Sequence, residues 1–197
     1  MYKNLWKIYK SQYHRTFLWT WGGFLLILVS SYFVASLLTI DYKNFIEDLG
    51  SDQVDKTNEG TPSYVWHIFL NNIMVPLQMI LLALVPIPFL FYIVLLYNAV
   101  IYGFIIFIFQ DLEENFFRLF LSEVLFHGVI EISAFILMSC LIFHFQLSII
   151  KKIIVKNREK KKQNVSSILL AKHLLIFLFF IILPLIALAA IGEGISQ

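Results

Sequence analysis

The chain has 197 residues, of which 59% are hydrophobic, 20 are Phe and only 14% are charged, and its mean hydropathy is +0.79. These values exclude an ordinary soluble domain and indicate a polytopic membrane protein. The net charge of +2 conceals a segregation: Lys3, Lys7, Lys10 and Arg15 form a basic N-terminal segment with no acid among them. The single Cys140 excludes an intramolecular disulfide and any metal centre built on several thiolates.

Five apolar runs follow in order. Residues 17–40 form the first span, long enough for a tilted helix at about 1.5 Å per residue across a hydrocarbon core of about 30 Å. That core exceeds the roughly 7–15 apolar residues of a signal peptide, so the segment is expected to be a retained anchor. Residues 41–63 carry Asp41, Glu47, Asp48, Asp52, Asp55 and Glu59 against Lys43 and Lys56, with Gly50, Gly60 and Pro62. They read as an exposed acidic loop. Residues 64–85 and 89–109 make the second and third spans, an antiparallel hairpin joined at Pro86-Ile87-Pro88. A short acidic connection with Asp111, Glu113 and Glu114 leads into the fourth span, 119–150. A basic loop at 151–162 precedes the fifth span, 168–191.

The expected fold is therefore a single all-α membrane domain over 1–197, a bundle of five transmembrane helices. Lys and Arg in short loops set orientation, and here they give one answer. The N-terminus and the segment bearing Lys151, Lys152, Lys156, Arg158, Lys160, Lys161 and Lys162 fall on the cytoplasmic side, while both acidic loops and the C-terminus fall outside. An even number of spans would put one basic segment on the wrong face. The basic loop has no interleaved aromatic residues, which argues against nucleic acid; it suits anionic lipid headgroups or a docked cytoplasmic partner.

The polar residues inside these spans are the functional pointers, since a charge near the bilayer centre costs roughly 2.5–3.5 kcal/mol on insertion scales and so faces a protein interior or a cavity. Glu123, His127 and Glu131 lie at i, i+4 and i+8, one stripe on the fourth helix descending about 6 Å per step. Asn71 and Asn72 on the second span, Asn98 on the third and Glu193 at the end of the fifth fall at depths that allow them to join that stripe in one cluster. Two readings stand side by side: polar contacts that pack helices together, and a site for a proton, an ion or a polar ligand. Pro76 and Pro184 are expected to kink their helices and free carbonyls for these groups.

No HExxH, GxSxG, P-loop or GxGxxG string occurs, so enzymatic activity is not expected, nor any cofactor or metal. Glu113-Glu114-Asn115-Phe116-Phe117-Arg118 matches the EExxxR string of CAAX-type intramembrane proteases. That minor alternative is weakened because position 123, four before His127, is Glu where those enzymes carry Phe.

The order of motifs is more specific than any one of them: Asn71-Asn72 in the second span, Asn98 with Gly103 in the third, His127-Gly128-Val129-Ile130-Glu131 in the fourth, and Ala190-Ile191-Gly192-Glu193-Gly194-Ile195 closing the fifth. Over about residues 65–197 this resembles the stage II sporulation protein M family, also called DUF95. Phe126 stands where the family often has Pro, and Ala99 where Gly often follows the Asn, which marks a divergent member. The resemblance implies a non-enzymatic multi-pass protein of the bacterial cytoplasmic membrane. It further implies a subunit or scaffold role beside an ABC-type exporter, a bacteriocin export or immunity system, or an envelope-remodelling complex such as that of sporulation. A transport role would need a separate ABC ATPase. Membrane lipids, other membrane proteins and further copies of the chain are the expected partners. The alternative is an autonomous small transporter or channel with a His127/Glu131 relay.

Overall fold

Within hydrocarbon every backbone N–H and C=O must be satisfied inside its own segment, so apolar runs of this length fold as helices. The computed structural model describes residues 6–38, 62–112, 126–154 and 167–196, and these are all-α. Helix α1 is Trp6–Leu37, α2 is Pro62–Leu84, α3 is Tyr92–Leu112 and α4 is Phe126–Ile154. Helix α5 runs over 167–196 as Ser167–Phe177, a π-helical turn Leu178–Ile182, and Leu183–Ser196. α1, α2, α4 and α5 are each long and apolar enough to cross a bilayer, and α3 carries a shorter apolar stretch, Tyr92–Ile108.

The helix ends differ from the apolar boundaries for identifiable reasons. α1 begins well before the expected residue 17, because Lys7, Lys10 and Arg15 are good helix formers and no breaker separates them from the apolar run. Phe89–Phe91 belong to a turn, so α3 starts at Tyr92 and extends past 109 to Leu112. α5 continues beyond 191 to Ser196, which puts Glu193 inside the helix rather than at its end. The start of the fourth span with Glu123, the acidic loop over 41–61, Glu113 to Arg118, and Lys156 to Lys162 lie outside the described residues.

α4 is the axis around which the others pack. It touches each of the other four helices, and 67% of its most apolar stretch is buried, against 11% for α1. α1 packs most extensively on α3, and Gly103 is why the two can approach. A Cβ there would stand 2.5 Å from the Leu28 carbonyl oxygen and 2.7 Å from Ser31 Cβ.

The α2–α3 connection is held from α4. Pro86 and Pro88 bring no N–H donors to this tight turn, which itself supplies the Ile87 carbonyl with only a long bond, from the Leu90 N–H at 3.4 Å. Gln146, only 4% exposed, turns its amide nitrogen to the carbonyls of Ala83 (3.4 Å), Val85 (3.2 Å) and Ile87 (3.1 Å), and its oxygen accepts the Phe89 N–H at 3.2 Å. That clasp holds Phe89 at φ 66°, a left-handed conformation that is strained for a bulky residue; its ring stacks on Phe143 at 5.8 Å.

π-helical turns occur in both α1 and α5, near the start of the first and midway along the second. In α5 the turn Leu178–Ile182 directly precedes Pro184, which cannot donate to the carbonyl four residues back and whose ring crowds it; widening the preceding turn relieves this. In α1 the turn Tyr9–Tyr13 rotates Tyr13 inward until it is 1% exposed, with its ring 6.0 Å from Phe177. The chain therefore starts α1 and α5 at one end, while Val65, His127 and Gly194 meet at the other.

Candidate functional site

At that second end, α3, α4 and α5 converge on an acidic cluster. Glu131 is 6% exposed, and its carboxyl group hydrogen-bonds the Tyr102 hydroxyl. Glu193 lies close enough to interact electrostatically with both. Small residues on α5 allow this approach. A Cβ on Gly192 would sit 3.6 Å from His127 Cβ, and one on Gly194 would run into Val65 at 2.4 Å, so α5 lies directly against α4 and α2 here. Among the described residues, no group of three or more His, Cys, Asp or Glu side chains could hold a metal ion.

The seven residues singled out in the sequence are distributed as follows. Glu131, Glu193 and His127 share this end of the bundle, with His127 half-buried against α5. Asn72 lies on the inward stripe of α2 with Ile68, Pro76, Met79 and Ala83, and its amide nitrogen is buried with no hydrogen-bond partner among the described residues. Asn71, one position round the helix, is exposed. Asn98 does not reach across to the cluster with its amide nitrogen, which donates 2.8 Å to the Val94 carbonyl of its own helix. That is the usual alternative for an amide without a cross-helix acceptor. Glu123 lies outside the described residues, as do most of the basic docking candidates; Lys151 and Lys152 fall in the last turn of α4.

Sequence reasoning passed over Tyr102, because a tyrosine in an apolar span carries no charge to mark it. It also passed over a second polar assembly at the opposite end. There Tyr13 Oη pairs with His173 Nδ1 at 3.2 Å, and Thr16 Oγ1 with His144 Nε2 at 3.1 Å. The Tyr13 ring meets the His144 ring edge-on at 5.1 Å. One turn further along α1, Thr20 Oγ1 is 3.4 Å from the Tyr92 hydroxyl and 3.9 Å from Cys140 Sγ. His144 and His173, each inside an apolar run, were the visible signal.

The two assemblies are separated along α4. Between Glu131 and Ser139, about 12 Å of helix axis, the residues Ile132, Ala134, Phe135, Ile136, Leu137 and Met138 are apolar and buried. Ser133 donates its hydroxyl to the Val129 carbonyl at 2.6 Å.

In comparison with known families, residues 17–196 match the model described as stage II sporulation protein M. No curated protein and no solved structure matches the chain.

Proposed function

The chain belongs to the stage II sporulation protein M family, and on that premise we propose that it acts as a non-enzymatic subunit or scaffold of a bacterial cytoplasmic-membrane assembly. The assembly is of the exporter, bacteriocin-immunity or envelope-remodelling kind. The observation that carries this reading is the apolar section of α4 between Glu131 and Ser139. It supports a rigid axis whose polar groups join helices at each end, rather than a polar route along the bundle. The 11% burial of α1's apolar stretch is in keeping with a helix that offers its surface to lipid and partner proteins. The basic segments at the start of α1 and after α4 belong on the cytoplasmic face, with Lys151 to Lys162 as the docking element for an ATPase or other soluble partner.

Mild-detergent purification after in-cell cross-linking tests this. A partner recovered in fixed stoichiometry, and lost when the 151–162 lysines are replaced by Gln, supports it; a solitary monomer with full activity in liposomes rejects it. Reporter fusions at the two termini test the orientation, which requires them on opposite faces.

One observation favours a second reading, a relay at the acidic end: Glu131 is a buried carboxyl group paired with Tyr102 and facing Glu193. Proteoliposome flux abolished by Glu131→Gln but not by Glu159→Gln would select it over the scaffold.

A further inference from the structure

An apolar cavity of about 410 Å³ opens between α1 and α5, with α4 as its floor. Its walls run from Trp6 and Tyr9 through Phe17 on one side and from Phe177 through Ile181 on the other, over Leu137. Ser133 also lines it, but its hydroxyl is already given to the Val129 carbonyl, so the lining offers an occupant very little hydrogen bonding along its length.

The dimensions decide what fits. A stretch of transmembrane helix about 16 Å long and about 10 Å across takes roughly 1,300 Å³, three times the cavity's volume of about 410 Å³. A transmembrane helix from a second copy or a partner is therefore excluded from the slot, whereas a single extended alkyl chain fills it.

Charge and interfacial residues mark one end. Trp6, stacked on Tyr9 at 5.4 Å, lines the groove towards the start of α1. Exposed Lys7 and Lys10 stand on the adjoining turn of α1, and exposed Lys172 on the first turns of α5. No Asp or Glu occurs in residues 1–40 or 163–192 to compete with an anion there. The two π-helical turns, Tyr9–Tyr13 and Leu178–Ile182, border the slot on opposite walls, and such turns recur where helices are shaped around a function.

We propose that this groove binds one acyl chain of an anionic phospholipid from the leaflet on the N-terminal side, with the phosphate headgroup held by Lys7, Lys10 and Lys172. The proposal is independent of the scaffold and relay readings. A lipid so placed bridges α1 to α5 alongside the direct contacts that Tyr13 makes with His173 and Phe177.

The test is photolabelling of the full chain in vesicles containing phosphatidylglycerol with a diazirine at mid-chain, against the same probe on phosphatidylcholine. The expected result is label on Phe17, Leu137 and Ile181, at least threefold stronger with phosphatidylglycerol. Ile181→Trp should fill the slot and abolish that label, while Leu26→Trp, at a 68% exposed position, leaves it intact. Replacing Lys7, Lys10 and Lys172 together by Gln should remove the headgroup preference while the protein keeps its melting temperature. Equal labelling by both lipids, label spread evenly over exposed helix faces, or cross-links from the groove to a second protein chain would each overturn the proposal. If Ile181→Trp fails to fold, the lysine variant still decides it.

Discussion

At the acidic end of the bundle, α3, α4 and α5 bring two carboxyl groups, a phenol and an imidazole into one neighbourhood. At the opposite end, His144, His173 and Gln146 meet neutral partners on α1 or at the α2–α3 connection. The histidine end is thus a set of neutral cross-helix bonds, each modest, that fix helix positions. The acidic end places like-charged groups together, which packing alone does not call for and which neutral side chains would avoid. Structural need accounts for the first arrangement more completely than for the second. Cross-helix polar bonds inside a membrane contribute about 0.6 kcal/mol on average, so the histidine end works by number and geometry rather than by any single strong contact.

The sharpest way to break this contrast is at Gln146. Gln146→Leu removes one side chain that serves three carbonyls and one N–H, and leaves the Val85 carbonyl and the Phe89 N–H without that partner beside a strained Phe89. A loss of about 2–4 kcal/mol is expected in reversible unfolding in mixed micelles, the largest of the set. A variant of unchanged stability would show that the turn holds itself.

Gly103→Ala comes next, because the added methyl meets backbone that cannot rotate away. About 1–3 kcal/mol should be lost, whereas Gly22→Ala, with nothing within 4 Å, should stay within about 0.5 kcal/mol of the parent. If both behave alike, the close approach of α1 and α3 is wrong.

At the acidic end, Glu131→Leu leaves the Tyr102 hydroxyl without its acceptor and should cost about 1–2 kcal/mol, while Glu131→Gln keeps an acceptor and should cost less. A marked loss of cellular function in Glu131→Gln with folding preserved would sharpen the contrast, by separating the chemistry of this end from its packing. The smallest effect belongs to Tyr13→Phe, which removes one neutral bond to His173 and should lower stability by about 0.6 kcal/mol, with the fluorescence melting curve keeping its shape.

Much of the helical architecture was legible because hydropathy over about 20 residues is a long-range signal that tertiary contacts hardly alter. The ends of the helices were less so: α1 extends back through Lys7 and Lys10, because helix formation follows propensity where the apolar run has stopped, while α5 runs on through Gly192-Glu193-Gly194 against propensity, packed on His127 and Val65. The stripe of His127 and Glu131 was visible as an ionisable pair at helical spacing, but which neighbours it meets was not. Asn98 lies at a depth that would allow it to join the cluster, but its amide nitrogen donates to Val94 of its own helix. Tyr102 could not be singled out from eight other tyrosines by composition or spacing.

By itself, then, the amino-acid sequence determined that this chain is helical, rich in apolar runs of membrane-spanning length and a member of its family, since these properties follow from local composition and motif order. The tertiary structure decided that α4 is the central helix, that Gln146 clasps the Pro86–Pro88 turn, that Glu131 meets Tyr102 and Glu193, and that α1 and α5 leave a slot between them. A membrane helix is apolar on every face, so the periodicity that marks a buried side in a soluble protein is absent. Only side-chain shape and close backbone approach, as at Gly103 and Gly194, select which faces meet.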